Sequence, residues 1–422
     1  MIYLDNSATT RQYDEVTDVM IQAMKEDYGN PSSLYQMGVD AEKAVKAARR
    51  QVLEAAGFTA GAGASGAGNW DVVFTSGGTE ADNMAIFGAA KALRRLGNRI
   101  VTTAVEHPAV LECCKSLEAD GFEVIRIGVD HNCLPLIDQL RAAVNDRTIL
   151  VSMMHVNNEV GTVMPVGLIK EIMEQNGAPG LFHCDAVQSF GKMPLPTDAD
   201  LIAVSGHKIH GPKGSGALLI SKGKAVSGKG SGAAVKASNI PAFIVGGGQE
   251  SGRRSGTENV PAIIGLGCAA QIAAADGKVG GSTNVDSAGY LAMADIAEMR
   301  QKLLDGLCSK IDNIEINSPL EAGTVPGQCC PSVLNINFKG TRGEVILHTL
   351  EQEGICVSTG SACSSNKKGQ SHVLEAMGRS SKDIEGAIRF SLGRLNSPEE
   401  VDTVVEAVAR AVGRFRRLGS FR

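Results

Sequence analysis

The sequence lacks any run approaching the ~18 consecutive apolar residues of a membrane-spanning helix, and its start, MIYLDNSATT, has no basic segment followed by an apolar one. A cytoplasmic location with no membrane partner is therefore expected. A basic excess is also missing: 41 Lys and Arg stand against 46 Asp and Glu, a net charge of −5 that gives no general attraction for nucleic acid. The ten cysteines follow no repeated spacing framework, and Cys113-Cys114 and Cys329-Cys330 are adjacent pairs, not CxxC. This argues against a disulfide scaffold or a zinc ribbon, so most cysteines read as small reduced core residues and no metal site is expected.

Hydrophobic residues make up 43% of the 422 and charged residues 21%, enough to bury a large core with no sign of disorder. Apolar runs of strand length, VVFTS (72–76), RIVTTAV (99–105), FEVIRIGV (122–129), TILVSMMHV (148–156), GLFHCDA (180–186) and LIAVSG (201–206), alternate with helical patterns such as 79–97 and 166–177. Such alternation predicts an α/β protein with a mostly parallel, doubly wound sheet. After about residue 258 the texture changes to a long helical stretch, strands around VLNINF (333–338) and helix again, as in a smaller α+β domain. The expected division is a large cofactor-binding domain over 15–257 and a small domain formed by 1–14 and 258–422. Gly-, Ser- and Lys-rich stretches at 59–69, 221–239 and 276–289 read as surface segments outside the core.

In an open α/β sheet, ligands sit beyond the carboxyl ends of the strands, and here each strand is followed by polar residues. FTSGGTEADN offers Gly77, Gly78 and Thr79 at a helix start, where backbone N–H groups and a hydroxyl can meet a phosphate; alone, it is also an ordinary helix cap. His107 follows the next strand and could lie against an aromatic ring, or be structural. Asn157, Asn158 and Glu159 form a polar cluster that could face a ligand or make a turn. Asp185 ends an apolar run, where a carboxylate would be desolvated unless paired, and a protonated pyridine nitrogen is a suitable partner; Gln188 lies three residues on. Lys208, between Ser205, His207 and His210 in a glycine-bounded turn, can form a Schiff base with an aldehyde cofactor if its amine is partly desolvated. The order of these elements weighs more than any one of them.

Taken together, SGGTEADN, EHPAV, NNEVG, HCDAVQS, SGHKIHGPKG, GGGQESGRRSGTEN and GSACSS resemble the cysteine desulfurases of the NifS and IscS type, over nearly the whole chain. The resemblance implies a fold-type I transferase, dependent on pyridoxal 5'-phosphate and working as a homodimer. It implies that Lys208 carries the cofactor, that Gly78, Thr79, Ser205 and His207 hold its phosphate, and that His107 stacks on the ring. Asn158 and Gln188 would bind the ring's oxygen side and Asp185 its nitrogen, while Thr257 would reach the phosphate of the neighbouring subunit's cofactor. Arg389, in the strand-like run AIRFSLGR, would bind the carboxylate of the substrate L-cysteine bidentately.

Cys363 stands in ICVSTGSACSSNKKGQSHVL among Gly, Ser, Ala, Asn and Lys, a composition that predicts an exposed loop, and Lys367 and Lys368 would favour its thiolate. The resemblance assigns it the persulfide, made as cysteine becomes alanine with Lys208 and His107 carrying protons. The sulfur would then pass to an acceptor protein for iron–sulfur cluster assembly or tRNA thiolation. The rivals are a selenocysteine lyase or an aminotransferase on the same scaffold, and a non-catalytic sulfur-transfer scaffold. An aminotransferase has no use for an exposed cysteine at 363, and a pure binding module has none for the Lys, Asp and His set.

Overall fold

Strands buried on both faces set the architecture. A computed structural model describes residues 1–58, 69–223, 236–276, 290–359 and 371–419. In chain order the first elements are β1 (Ile2–Tyr3), α1 (Asp14–Lys25), α2 (Gln36–Ala55), β2 (Trp70–Thr75), α3 (Gly78–Leu93), β3 (Arg99–Thr103), α4 (Pro108–Ala119) and β4 (Glu123–Ile127). There follow α5 (Ile137–Ala143), β5 (Thr148–Ser152), α6 (Ile169–Gln175), β6 (Leu181–Asp185), β7 (Leu201–Ser205), β8 (Gly216–Ser221) and α7 (Val260–Asp276). The last third comprises α8 (Met293–Lys310), β9 (Ile314–Ile316), β10 (Val333–Phe338), α9 (Gly343–Gln352), β11 (Ile355–Cys356), α10 (His372–Ala376), α11 (Ser381–Glu385), β12 (Ala387–Ser391) and α12 (Pro398–Gly419).

Seven strands form one sheet in the order β2-β8-β7-β6-β5-β3-β4. From β7 to β4 every pairing is parallel, and only β8 runs against its neighbours. Residues on these strands alternate between two apolar layers. Leu201 and Ala203 of β7 join Met84, Ile86 and Leu93 of α3, while Ile202 and Val204 join Val45 and Val52 of α2 and Leu266 of α7. Both faces are thus covered, as a parallel sheet requires. On β6 the same alternation turns His183 and Asp185 toward α3, because they share the parity of Leu181.

A second core packs α8, α9 and α12 over the antiparallel sheet β9-β10-β12, with Leu303, Phe338, Phe390 and Val404 fully buried. The short parallel pair β1-β11 ties the amino terminus to this part, and Leu4 belongs to its core. The α7 helix packs instead on α1 and α2 and shares the core of the large sheet.

The expected α/β class stands, but three local readings are corrected. β8 is not among the strands read from the sequence: its run GALLIS is short and follows directly on the Gly-rich lysine turn. The helical pattern at 79–97 stops at Leu93, and Gly97 is not its cap; a Cβ there would lie 2.2 Å from the Arg147 carbonyl oxygen, so it marks a close backbone approach. The end of the 221–239 stretch is not surface throughout, since Ala237 is buried in the layer under α3. Residues 59–68, 224–235 and 277–289 lie outside the described residues. Among the described residues no helix is long and apolar enough to cross a membrane.

Arg300 of α8 is fully buried and donates to the carbonyls of Val333 (2.8 Å), Leu320 (3.2 Å) and Pro319 (2.6 Å), joining the helix to β10 and the loop before it. Arg300→Leu removes those three hydrogen bonds. It is expected to lower unfolding stability by about 2 kcal/mol or more in urea titration, and an unchanged midpoint would show the link to be dispensable.

Candidate active site

The carboxyl ends of β2, β3, β5, β6 and β7 converge on one cavity of about 240 Å³. Its wall includes Gly78 and Thr79 at the start of α3, His107 after β3, Asn158 after β5, Asp185 and Gln188 at and beyond the end of β6, Ser205, His207 and Lys208 at the end of β7, and Arg389 from β12. Residues far apart in sequence meet because parallel strands all end on the same edge. The exposed Thr257 is not part of this wall, and Cys363, Lys367 and Lys368 lie outside the described residues.

One end of the cavity suits an anion. Gly78 opens α3, a 16-residue helix, so its N-terminal N–H groups face the space. A Cβ at residue 78 would meet Val187 Cγ2 at 2.6 Å, leaving room only for glycine. Ser205 is 1% exposed, and its Oγ has no hydrogen-bond partner among the described residues. A buried hydroxyl of this kind is a donor without an acceptor, which a phosphate oxygen would supply. The cavity continues past Thr79 and His207 into a wider recess that also contains Lys213.

The opposite requirement holds at Asp185. Burial pushes its carboxyl up to about 6, against the lowering effects of the Val187 N–H at 2.9 Å and of Lys208. A cationic ring nitrogen facing it would hold it ionised, so the donor set fits a ring that carries both a phosphate and a protonated nitrogen.

Lys208 Nζ donates to the carbonyl oxygens of Ser7 (2.5 Å) and Ala8 (2.7 Å), and Gln188 Nε2 donates to Ser7 O at 2.9 Å. His107 caps α4: its Nδ1 accepts from Ala109 N at 3.2 Å, so in the neutral ring the proton sits on Nε2. Burial, with Lys208 and His372 nearby, lowers His107 to about 4, which keeps that ring neutral near pH 7. His207 is likewise lowered to about 4 by burial, then by Lys208, and its Nδ1 lies 3.2 Å from Thr9 Oγ1. Asn157 is the turn residue of its cluster: its Oδ1 accepts from Glu159 N and Val160 N, leaving Asn158 to face the cavity.

Several lining residues were not singled out in the sequence. Ser7 and Ala8 come from the amino-terminal segment, which carries no helix or strand period to draw attention to it. Asp82 stands one helical turn after Thr79, a spacing that puts it on the same face. It is 1% exposed, its Oδ1 lies 3.4 Å from His183 Nε2, and His183 Nδ1 is 2.9 Å from Ser152 Oγ on the neighbouring strand. Burial, with the charges of Asp185 and Glu106 nearby, raises Asp82 well above the ordinary carboxylate range, and burial lowers His183 to about 3. Burial and the neighbouring carboxylates thus shift Asp82 toward its neutral form beside Asp185.

The chain matches the Aminotransferase class-V family over residues 2–404. A protein named cysteine desulfurase IscS, from Methanosarcina thermophila, is 40% identical over 420 residues, 99% of this chain and 93% of that protein. A solved structure described as a NifS-like protein superposes with a TM-score of 0.81 at 34% identity, over 98% of this chain and 99% of that one. Another, described as SspA in complex with cysteine, has a TM-score of 0.72 at 27% identity, over 94% of this chain and 100% of that one.

Ser205→Ala removes a buried hydroxyl with no partner among the described residues. It is expected to leave the melting temperature unchanged or raised while weakening pyridoxal 5'-phosphate by about fivefold, the loss of roughly 1 kcal/mol of hydrogen bonding. Thermal melts and absorbance titration check both, and an unchanged affinity would put the phosphate elsewhere.

Proposed function

This chain belongs to the aminotransferase class-V family, within its cysteine desulfurase branch, and on that footing we propose that Lys208 carries pyridoxal 5'-phosphate and that Cys363 takes sulfur from L-cysteine. The observation that carries the reading is the single cavity shared by Lys208, Asp185, Ser205 and Arg389. An amine, a carboxyl group in need of a cation, an unpaired hydroxyl and a guanidinium there answer the aldehyde, ring nitrogen and phosphate of the cofactor and the carboxylate of an amino acid. Gly78, Thr79, Ser205 and His207 would surround the phosphate, Asp185 the ring nitrogen, and Asn158 and Gln188 the ring's oxygen side. His107 would lie against the ring.

When bound, the cofactor supplies an electron-withdrawing ring that acidifies the α-carbon of an attached amino acid. The chain's own residues do the rest. Arg389 orients the substrate through its carboxylate. Lys208 exchanges protons at the α-carbon, and His107, neutral with its proton on Nε2, donates where a negative centre develops. The Cys363 thiolate forms an S–S bond to the substrate sulfur as the C–S bond breaks; the electron pair goes to the β-carbon, and a proton completes alanine. The persulfide on Cys363 then passes to an acceptor protein serving cluster assembly or tRNA thiolation.

We further read the working unit as a cytoplasmic homodimer in which the exposed Thr257 reaches the neighbouring subunit's cofactor. Residues 15–257 would form the cofactor-binding domain, and 1–14 with 258–422 the domain that carries Cys363; of the latter, α7, Tyr13 and residues of α10 and α11 pack on the larger core.

Cys363→Ala is expected to bind the cofactor with unchanged visible absorbance and to lose production of sulfide and alanine by at least about a hundredfold, in line with the removal of a nucleophile. Turnover at the parental rate would remove Cys363 from the reaction.

A further inference from the structure

We propose that Asp5 is a positioning residue for carboxylate recognition: from behind the cavity wall it holds the Arg389 guanidinium in the orientation that receives the substrate. The proposal rests on the reading of Arg389 as the carboxylate anchor. Arg389 sits in the middle of β12 with its side chain 2% exposed, and it opens on the cavity. Its Nη2 donates to Asp5 Oδ1 at 2.7 Å and its Nη1 to the backbone carbonyl of Asn158 at 2.9 Å. Asp5 is not part of the cavity wall, although Ser7 and Ala8 just after it are.

Asp5 is fixed by the backbone around it. The Leu4 carbonyl accepts from Ser391 N at 2.7 Å and Asn6 N donates to Ser391 O at 3.1 Å, so Asp5 forms a parallel bridge with Ser391 at the end of β12. The Asp5 carbonyl itself accepts from Ala8 N at 3.0 Å and from the Tyr3 hydroxyl at 3.1 Å. A carboxylate anchored on a backbone bridged to the end of β12 allows the Arg389 guanidinium little freedom to turn.

The charges point the same way. A buried guanidinium with no anion beside it is costly, and Asp5 supplies an anion. A guanidinium has five N–H donors. Asp5 and Asn158 engage only two, so a bidentate carboxylate can bind without displacing either. The same segment holds Lys208 through the Ser7 and Ala8 carbonyls, so one short stretch sets both the amine and the carboxylate anchor.

The test uses the full-length, cofactor-loaded enzyme and reads the visible absorbance change on titration with L-alanine and with ethylamine, the same amine without a carboxylate. Asp5→Ala is expected to raise the dissociation constant for L-alanine by about tenfold, as for one lost hydrogen bond between charged groups, and to leave that for ethylamine within about twofold. Asp5→Asn, which keeps an acceptor at the same reach, stays within about threefold of the parent for L-alanine, whereas Asp5→Glu, with one methylene too many, weakens it. An unchanged L-alanine affinity in Asp5→Ala, equal losses for both ligands, or an Asp5→Asn as weak as the alanine variant would overturn the proposal. Arg389→Gln separates the two levels. If it weakens L-alanine while Asp5→Ala does not, only the role of Asp5 fails; if it leaves L-alanine untouched, the reading of Arg389 fails and the proposal with it.

Discussion

A carboxyl group at the end of a strand buried on both faces is the constraint on which the site depends. Asp185 closes β6, every residue of which is buried, and burial moves its carboxyl up to about 6. Such a group is poised between neutral and charged, and a cation set against it decides the matter. The two other carboxyl groups buried near Asp185, Asp82 and Glu106, are shifted toward their neutral forms. Burial, with Asp185 and Glu106 nearby, raises Asp82 beside His183, and burial raises Glu106 to about 8, where its carboxyl hydrogen-bonds with Thr103 Oγ1 and Met154 N. A site with three ionised carboxylates would repel both the phosphate and the amino acid's carboxylate.

The cationic side is equally controlled. Lys208 and Arg389 are both anchored by the first ten residues, the amine by two carbonyl oxygens and the guanidinium by Asp5. His107 and His207 are kept neutral by burial next to Lys208, so they act through hydrogen bonding and proton exchange instead of adding charge. The large sheet thus supplies one half of the site, and a strap that pairs with the smaller sheet supplies the other. Such a division lets the geometry of the carboxylate anchor depend on β12 and the geometry of the ring pocket depend on β6 and β7.

Much of this was legible in the sequence because parallel strands leave strong marks. Uninterrupted apolar runs such as LIAVS and TILVS can only be buried on both faces, and the first polar residue after each run falls at the sheet's carboxyl edge. That is how Asp185, Ser205 and Lys208 could be picked from spacing. Arg389 and Thr257 could not: one sits inside an ordinary-looking strand and the other in a Gly-rich turn, and only the resemblance singled them out. Asp5, Ser7 and Ala8 were missed altogether, because a short irregular segment has no period and two of its contacts run through backbone carbonyls that any residue type would provide. Asp82 was overlooked for a different reason. Helix position placed it on the Thr79 face, but its partner, His183, becomes visible only once the alternation of β6 is known.

The most direct test of this arrangement is covalent. Full-length protein loaded with pyridoxal 5'-phosphate is reduced with borohydride, digested, and mapped by mass spectrometry. A single modified lysine is expected, Lys208, as the one placed between the Ser7 carbonyl and the Asp185 carboxyl. Modification at Lys192 or Lys213 instead, or at no lysine, would contradict the site described.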